Sequence, residues 1–356
     1  MKKSRRSAAG FTLIEVIVAT AVFALVFVGL LQMLDSSTRV SKVESALADT
    51  QENVRYAAYH LVRTARMVGG TNLPLARNDT SFQWVSLQVY DNQSGTFTDD
   101  FSGTHTLMPG SDVLTLRGFF EQTPYFVLPA NVDVSSGSVV ITEQPVSPNG
   151  VIQELLPVAD KKGIVLMGRN QYAVATVNGA GVISGTAPNR TLQIAFQGGQ
   201  SDIWQALNAD GTYVAPTFQV YRVGILQDYT YYVNPDGELR RWRAGPSGGT
   251  DEPVAQNIGS LQVALGLDIN HDGSLSASEW FHSATTPGAP SNSDAASAAP
   301  LGLRITVLGR TPFPVMGWVQ PTATFSVEDM TVPTGDSRRA KWRTLQVQAA
   351  LRDFVL

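Results

Sequence analysis

From Phe11 to Leu34 the chain reads FTLIEVIVATAVFALVFVGLLQML, apolar at nearly every position. A helix built from it is apolar all round, the pattern of a membrane-crossing segment and not of a half-buried surface helix. At the helical rise per residue it reaches about 36 Å, enough to cross a bilayer. Past Leu34 the pattern changes without stopping. Val40, Val43, Leu47, Thr50, Val54, Ala57, Leu61, Ala65 and Val68 recur three and four apart, one apolar stripe on an otherwise polar helix. Gly69-Gly70 and then Pro74 end the pattern, as glycine and proline end helices. The spacing predicts one helix over 11–70, its second half laid on a sheet. Two helices with a break near Asp35-Ser36-Ser37 are the alternative.

Beyond residue 70 the rhythm shortens to alternation, and short β-rich runs follow one another. They include Phe82–Tyr90, Asp112–Leu116, Tyr125–Leu128, Ser138–Thr142, Gly163–Met167, Tyr172–Val177, Thr191–Phe196, Phe218–Ile225, Leu261–Leu267, Leu303–Leu308, Thr324–Val327 and Arg343–Leu351. Tyr229–Val233 and Glu238–Trp242 flank Asn234-Pro235-Asp236-Gly237, a strong turn signal. In the last run Leu345, Val347, Ala349 and Leu351 fall on one face. No strand–helix–strand alternation appears, so a long helix followed by antiparallel strands, an α+β class, fits. Residues 283–300, small, polar and proline-containing, read as an exposed flexible loop.

Charge orients the molecule. The first ten residues, MKKSRRSAAG, hold Lys2, Lys3, Arg5 and Arg6, and basic residues on this flank place that end in the cytoplasm and the rest outside. The net charge is −4, and loss of that leader makes the remainder more acidic. An acidic body argues against broad nucleic-acid binding, which needs basic surface to displace counterions, while Arg338, Arg339, Lys341 and Arg343 leave a local contact open. The chain has no cysteine, so disulfides and thiolate chemistry are excluded. Glu15 interrupts the apolar run, where an ionisable group is expensive and needs a partner. A cut after Gly10 leaves Phe11 as a free N-terminus, with Glu15 four residues along and able to pair with the α-amine of a neighbouring subunit.

Gly10-Phe11-Thr12-Leu13-Ile14-Glu15 resembles the class III signal of type IV prepilins. The resemblance implies cleavage after Gly10 by a prepilin peptidase, N-methylation of Phe11, and an assembly role for Glu15. It also implies a pilin-like fold: a leader at 1–10, a membrane or filament-core helix at 11–34, an amphipathic half at 35–70 and a β-rich body at 71–356. The run from Asp49 to Tyr59, the run from Arg63 to Gly69, Gly110–Leu116, Tyr231–Val233 with Leu239–Arg241, Ile258–Asp268, Arg338-Arg339 and Leu345–Arg352 are similar to PilW-type minor pilins. Residues 121–152 resemble nothing in that family. The resemblance implies insertion in the inner membrane with the body on the periplasmic side, then entry into a type IV pilus beside major and minor pilins, at its initiation or tip. A type II secretion minor pseudopilin shares the leader and helix. A calcium-dependent adhesin or DNA-uptake component displayed by the filament is a further alternative.

Asp268-Ile269-Asn270-His271-Asp272-Gly273-Ser274-Leu275-Ser276-Ala277-Ser278-Glu279 fits the twelve-position calcium loop. Asp268, Asn270 and Asp272 supply oxygen at positions one, three and five, and Gly273 allows the sharp turn. Ser274 offers its carbonyl, Leu275 points inward, Ser276 acts through a water, and Glu279 binds bidentately. A hard cation needs such clustered oxygens to offset the repulsion of neighbouring carboxylates. The preceding run reads as a strand and no amphipathic helix follows, so the expectation is one calcium ion on a β scaffold; an acidic turn that binds nothing is the alternative. No P-loop or H-E-x-x-H occurs, and the reading is non-enzymatic.

Overall fold

The computed structural model describes residues 12–68, 86–98, 103–120, 125–133, 138–142, 164–168, 172–175, 181–186, 190–195, 203–205, 217–243, 249–282, 299–315, 326–328, 330–331 and 339–351. The expected helix stop at Gly69-Gly70 and Pro74, residues 143–163, most of the 283–300 loop, and Arg338 lie outside them. Ala299 and Pro300, which the sequence pattern assigned to that loop, instead open a strand.

Leu13–Ala65 form one uninterrupted helix, α1, with no break at Asp35. Side chains on either side of that point bond within the helix. Thr38 donates its hydroxyl to the Leu34 carbonyl at 2.6 Å, and Arg39 pairs with Asp35 one turn away at 2.8 Å. The chain divides into two compact units, Met1–Asp49 and Thr50–Leu356. In the first, the large apolar side chains of the 13–34 stretch stand exposed, and its most apolar window is 0% buried.

The second unit holds the strands. In chain order they are β1 (Leu87–Thr98), β2 (Thr104–Gly118), β3 (Tyr125–Asp133), β4 (Ser138–Thr142), β5 (Ile164–Met167), β6 (Tyr172–Ala175), β7 (Val182–Ser184), β8 (Thr191–Ala195), β9 (Ile203–Gln205) and β10 (Thr217–Ile225). There follow β11 (Gln227–Val233), β12 (Leu239–Arg243), β13 (Thr250–Ala255), β14 (Ile258–Asp268), β15 (Trp280–Phe281), β16 (Ala299–Arg310), β17 (Ser326–Val327), β18 (Met330–Thr331) and β19 (Trp342–Ala350). The larger sheets run β1-β2-β11-β12-β13, β3-β10-β5-β6-β9 and β15-β14-β16-β19. A three-stranded sheet β4-β8-β7 and a ribbon β17-β18 complete the set. Every described pairing is antiparallel. The α+β class with a long N-terminal helix and an antiparallel body is therefore what the chain adopts.

The main core forms where the stripe of α1 meets two sheets. Val54, Ala57, Ala58, Leu61 and Ala65 pack against Leu114, Leu116, Tyr231 and Val233 on one side and Leu261, Val263, Ile305 and Val307 on the other. Three alanines let the backbones approach closely. Gly309 does the same from β16, because a Cβ there would lie 2.4 Å from Val54 and 2.7 Å from Thr50 side-chain carbons. Burial of each large aliphatic group stabilises by roughly 1.5–3 kcal/mol. The predicted face of the last strand is also there: Ala349 and Leu351 are buried, with Leu345 and Val347 half-buried beside them.

Side chains of β2 fasten the two sheets. Asp112 Oδ2 accepts the Val263 N–H at 2.7 Å, and its Oδ1 accepts the Asn92 N–H at 2.9 Å. Ser111 Oγ accepts the Leu261 N–H at 3.0 Å. Arg117 and Asp228 form a buried ion pair across β2 and β11 at 2.5 Å. The predicted Asn234–Gly237 turn joins β11 to β12, with Gly237 at φ +82° donating to the Asn234 carbonyl. A second apolar cluster, with Val127, Ile141, Ile164, Leu166, Ile194 and Val223, unites β3, β4, β5, β8 and β10. Residues 121–152 thus contribute β3 and β4 to a core shared with β5, β8 and β10.

Candidate functional site

Two places carry the predicted chemistry, one in each unit. At the N-terminus, Gly10 and Phe11 lie outside the described residues. Glu15 occupies the first turn of α1, with Thr12 at its start. Its Oε2 accepts the Thr12 N–H and hydroxyl, both at 3.4 Å, and Thr12 Oγ1 accepts the Glu15 N–H at 3.4 Å. This reciprocal arrangement satisfies two orphan donors at a helix start and sets a carboxylate against the positive end of the helix dipole. Glu15 is exposed, so it keeps lone pairs for a cation beyond its own helix.

In the second unit, β14 ends at Asp268, the acidic loop follows, a short turn over Ala277–Glu279 closes it, and β15 returns to pair with Leu265 and Gly266. The expected strand before the loop is there, and the loop is followed by the two-residue strand β15, which the sequence pattern did not mark. His271 at φ +58° and Gly273 at φ +79° turn the chain sharply. Leu275 points inward as expected. Its methyls fill the space that a Cβ on Gly266 or Gly302 would need, at 2.4 and 2.9 Å, and these glycines face each other across β14 and β16. The loop is thereby pinned to the sheet by one apolar side chain.

The oxygens hold the loop's own N–H groups. Buried Asp268 accepts from Asp272 at 3.1 Å and from Gly273 at 2.9 Å. Asp272 Oδ1 accepts the Ser274 hydroxyl at 2.7 Å and N–H at 2.8 Å, which together hold its carboxyl below the usual range. Glu279 Oε2 accepts the Ser276 N–H at 2.7 Å, and Oε1 accepts from Ile269 and Asn270. The Ser276 bonds come first among the causes that lower the Glu279 pKa. Asn270 bridges to Asp272 through its Nδ2 at 3.1 Å. The donor set is hard oxygen, which suits calcium or magnesium and not a soft metal. Among the described residues, no three acidic or histidine side chains converge as a metal-holding group. Each carboxylate is instead satisfied by N–H donors, with further lone pairs left on the same oxygens.

Sequence reading missed a third feature. An open groove of about 640 Å³ lies between residues 55–66 of α1 and β19. Arg55, Tyr59, Arg63 and Arg66 line the helix side, and Leu345, Val347 and Gln348 the strand side. The spacing of 55, 59, 63 and 66 marks one helical face and was available in the sequence, but the wall opposite it was not.

The prokaryotic N-terminal methylation motif matches residues 5–31. No curated protein matches the chain significantly. Among solved structures, a type IV-like pilin from Thermus thermophilus is similar at 14% identity, over 56% of this chain and 91% of that one, with a TM-score of 0.23. A likeness that loose carries no structural argument. The N-terminus of this chain carries the prokaryotic N-terminal methylation motif, running from Arg5 into the exposed apolar half of α1.

Proposed function

We propose that the chain is a prepilin, cut after Gly10 and N-methylated on Phe11, and built into a type IV pilus as a PilW-like minor pilin. In this reading the first half of α1 holds it in the inner membrane with the body on the periplasmic side, before major and minor pilins take over the apolar surface. Its role is structural: to help start the filament or to form part of the tip. Glu15 pairs with the α-amine of an adjacent subunit. One observation carries the reading: the methylation motif runs into a helix segment that is apolar on every face and 0% buried. Such a surface is stable only in lipid or among other helices.

The test is the N-terminal mass of protein purified from its own host. A chain starting at methylated Phe11 supports the proposal. An intact Met1, or a cut beyond Leu34, overturns it. Isolation of surface filaments containing the chain separates a pilus from a type II secretion pseudopilus, which remains periplasmic.

The acidic loop supports a second, independent reading: residues Asp268, Asn270, Asp272, Ser274, Ser276 and Glu279 take up one calcium ion. The observation behind it is the hard-oxygen set carried on a loop already pinned by Leu275. When bound, calcium would link the carboxylates and stiffen a loop in a chain without disulfides. Calcium at about a hundred times its dissociation constant should then stabilise the body by about 2.7 kcal/mol. That gain should vanish in Asp272→Ala and in Glu279→Gln, as read by thermal melting with and without chelator. Equal melting in calcium and chelator ends this reading and leaves the first untouched.

A further inference from the structure

β19 is the last strand of its sheet, and its nine-residue register with β16 runs without a bulge. It contains no proline and, from Thr344 to Ala350, no charge. No described residue hydrogen-bonds to its outer edge over that stretch. Long regular edges of this kind are templates for a further strand unless they are blunted by charge, proline or a bulge, and none of these devices is present here. Among the described residues, the groove is lined by α1 and this strand. On its helix side Arg55, Arg63 and Arg66 are exposed, and none of their side chains makes an ion pair or hydrogen bond among the described residues. The floor between them is apolar, formed by Ala58, Val62 and Val347.

We propose that this groove receives an extended acidic segment of a partner protein, which adds to β19 as a further strand. Backbone pairing supplies the affinity and the arginines supply selectivity and register. Arg55 to Arg66 spans about 16 Å along the helix axis, and a seven-residue strand reaches about 20 Å, so carboxylates on one face of the guest come within reach of the long arginine side chains. Broad nucleic-acid binding is disfavoured by the net charge of −4. The proposal concerns the body alone and stands whether or not the chain enters a pilus.

The test uses the full chain in detergent micelles and a fluorescein-labelled heptapeptide that alternates glutamate with threonine or valine, followed by anisotropy. The expected result is saturable binding, at least tenfold weaker for Arg63→Gln/Arg66→Gln, whose exposed positions leave the fold intact. A peptide with lysine in place of glutamate should not bind. Nor should one N-methylated at alternate amides, which keeps its charge but cannot pair as a strand. No saturable binding, equal binding by the arginine variant, or equal binding of the N-methylated peptide overturns the proposal. Preferential binding of a single-stranded oligonucleotide, lost in the same variant, overturns it in favour of a nucleic-acid contact.

Discussion

The two ends of α1 obey different rules. From Leu13 to Leu34 apolar residues occupy every face, and they are exposed: Leu25 by 75% and Phe23 by 70%. From Thr50 to Ala65 apolar residues occupy one stripe, and Val54, Ala57, Leu61 and Ala65 are buried. Helicity is the same in both. What differs is where each segment finds its apolar solvent. The second finds it in the sheets of its own chain; the first must find it in lipid or in other helices. A substitution in one segment should therefore read out as folding, and in the other as insertion or assembly.

The largest contrast is at the stripe. Leu61→Ala removes a fully buried side chain and should cost the body about 2–5 kcal/mol. Leu25→Ala should leave body stability within about 0.5 kcal/mol. Denaturant melts of the full chain in detergent, followed by tryptophan fluorescence, compare them. Equal losses would erase the distinction drawn here. A smaller contrast uses glycine. Gly309→Ala drives a Cβ into Val54 and Thr50 and should cost about 1–3 kcal/mol. Gly29→Ala meets nothing within 4 Å and removes glycine's helix penalty, so helicity there should rise by about 0.5–1 kcal/mol of local stability. Circular dichroism in micelles distinguishes the two signs.

The smallest effect belongs to the acidic loop. Hydrogen bonds from Ser274 and from Ser276 lower the folded pKa values of Asp272 and Glu279. A depressed carboxyl contributes stability that is present above its unfolded value and lost as pH falls through the lower folded value. The protection of the Ser274 and Ser276 amides, relative to their intrinsic exchange rates at each pH, should thus be constant near neutrality and fall only on acidification below the ordinary carboxylate range, roughly pH 4. Loss of protection between pH 8 and 6 would remove the carboxylates as its cause. The stripe residues of α1 provide the control, since burial rather than charge protects them.

Much of this was legible because the signals are local. The apolar run, the stripe at Val54, Ala57, Leu61 and Ala65, the Asn234–Gly237 turn and the inward Leu275 each follow from spacing within a few residues. Strand ends were less legible. β1 continues through Asp91-Asn92-Gln93-Ser94-Gly95, polar residues that the alternation did not mark, because β2 supplies the backbone pairing through an irregular register. β13 contains Pro253 and lies at a sheet edge, where a missing N–H is tolerated. The short return strand β15 is too brief for any pattern and exists only because β14 runs beside it.

Local sequence thus decides the class of this protein, its N-terminal motif and the oxygen set of its acidic loop, since each depends on neighbours within a turn or a loop. Tertiary structure alone decides which strands are edges and what stands opposite them. Arg63 and Val347 are far apart in the chain, and nothing in either segment encodes the other. They share a groove because antiparallel pairing leaves β19 outermost and the buried stripe of α1 sets its arginine-bearing face beside it.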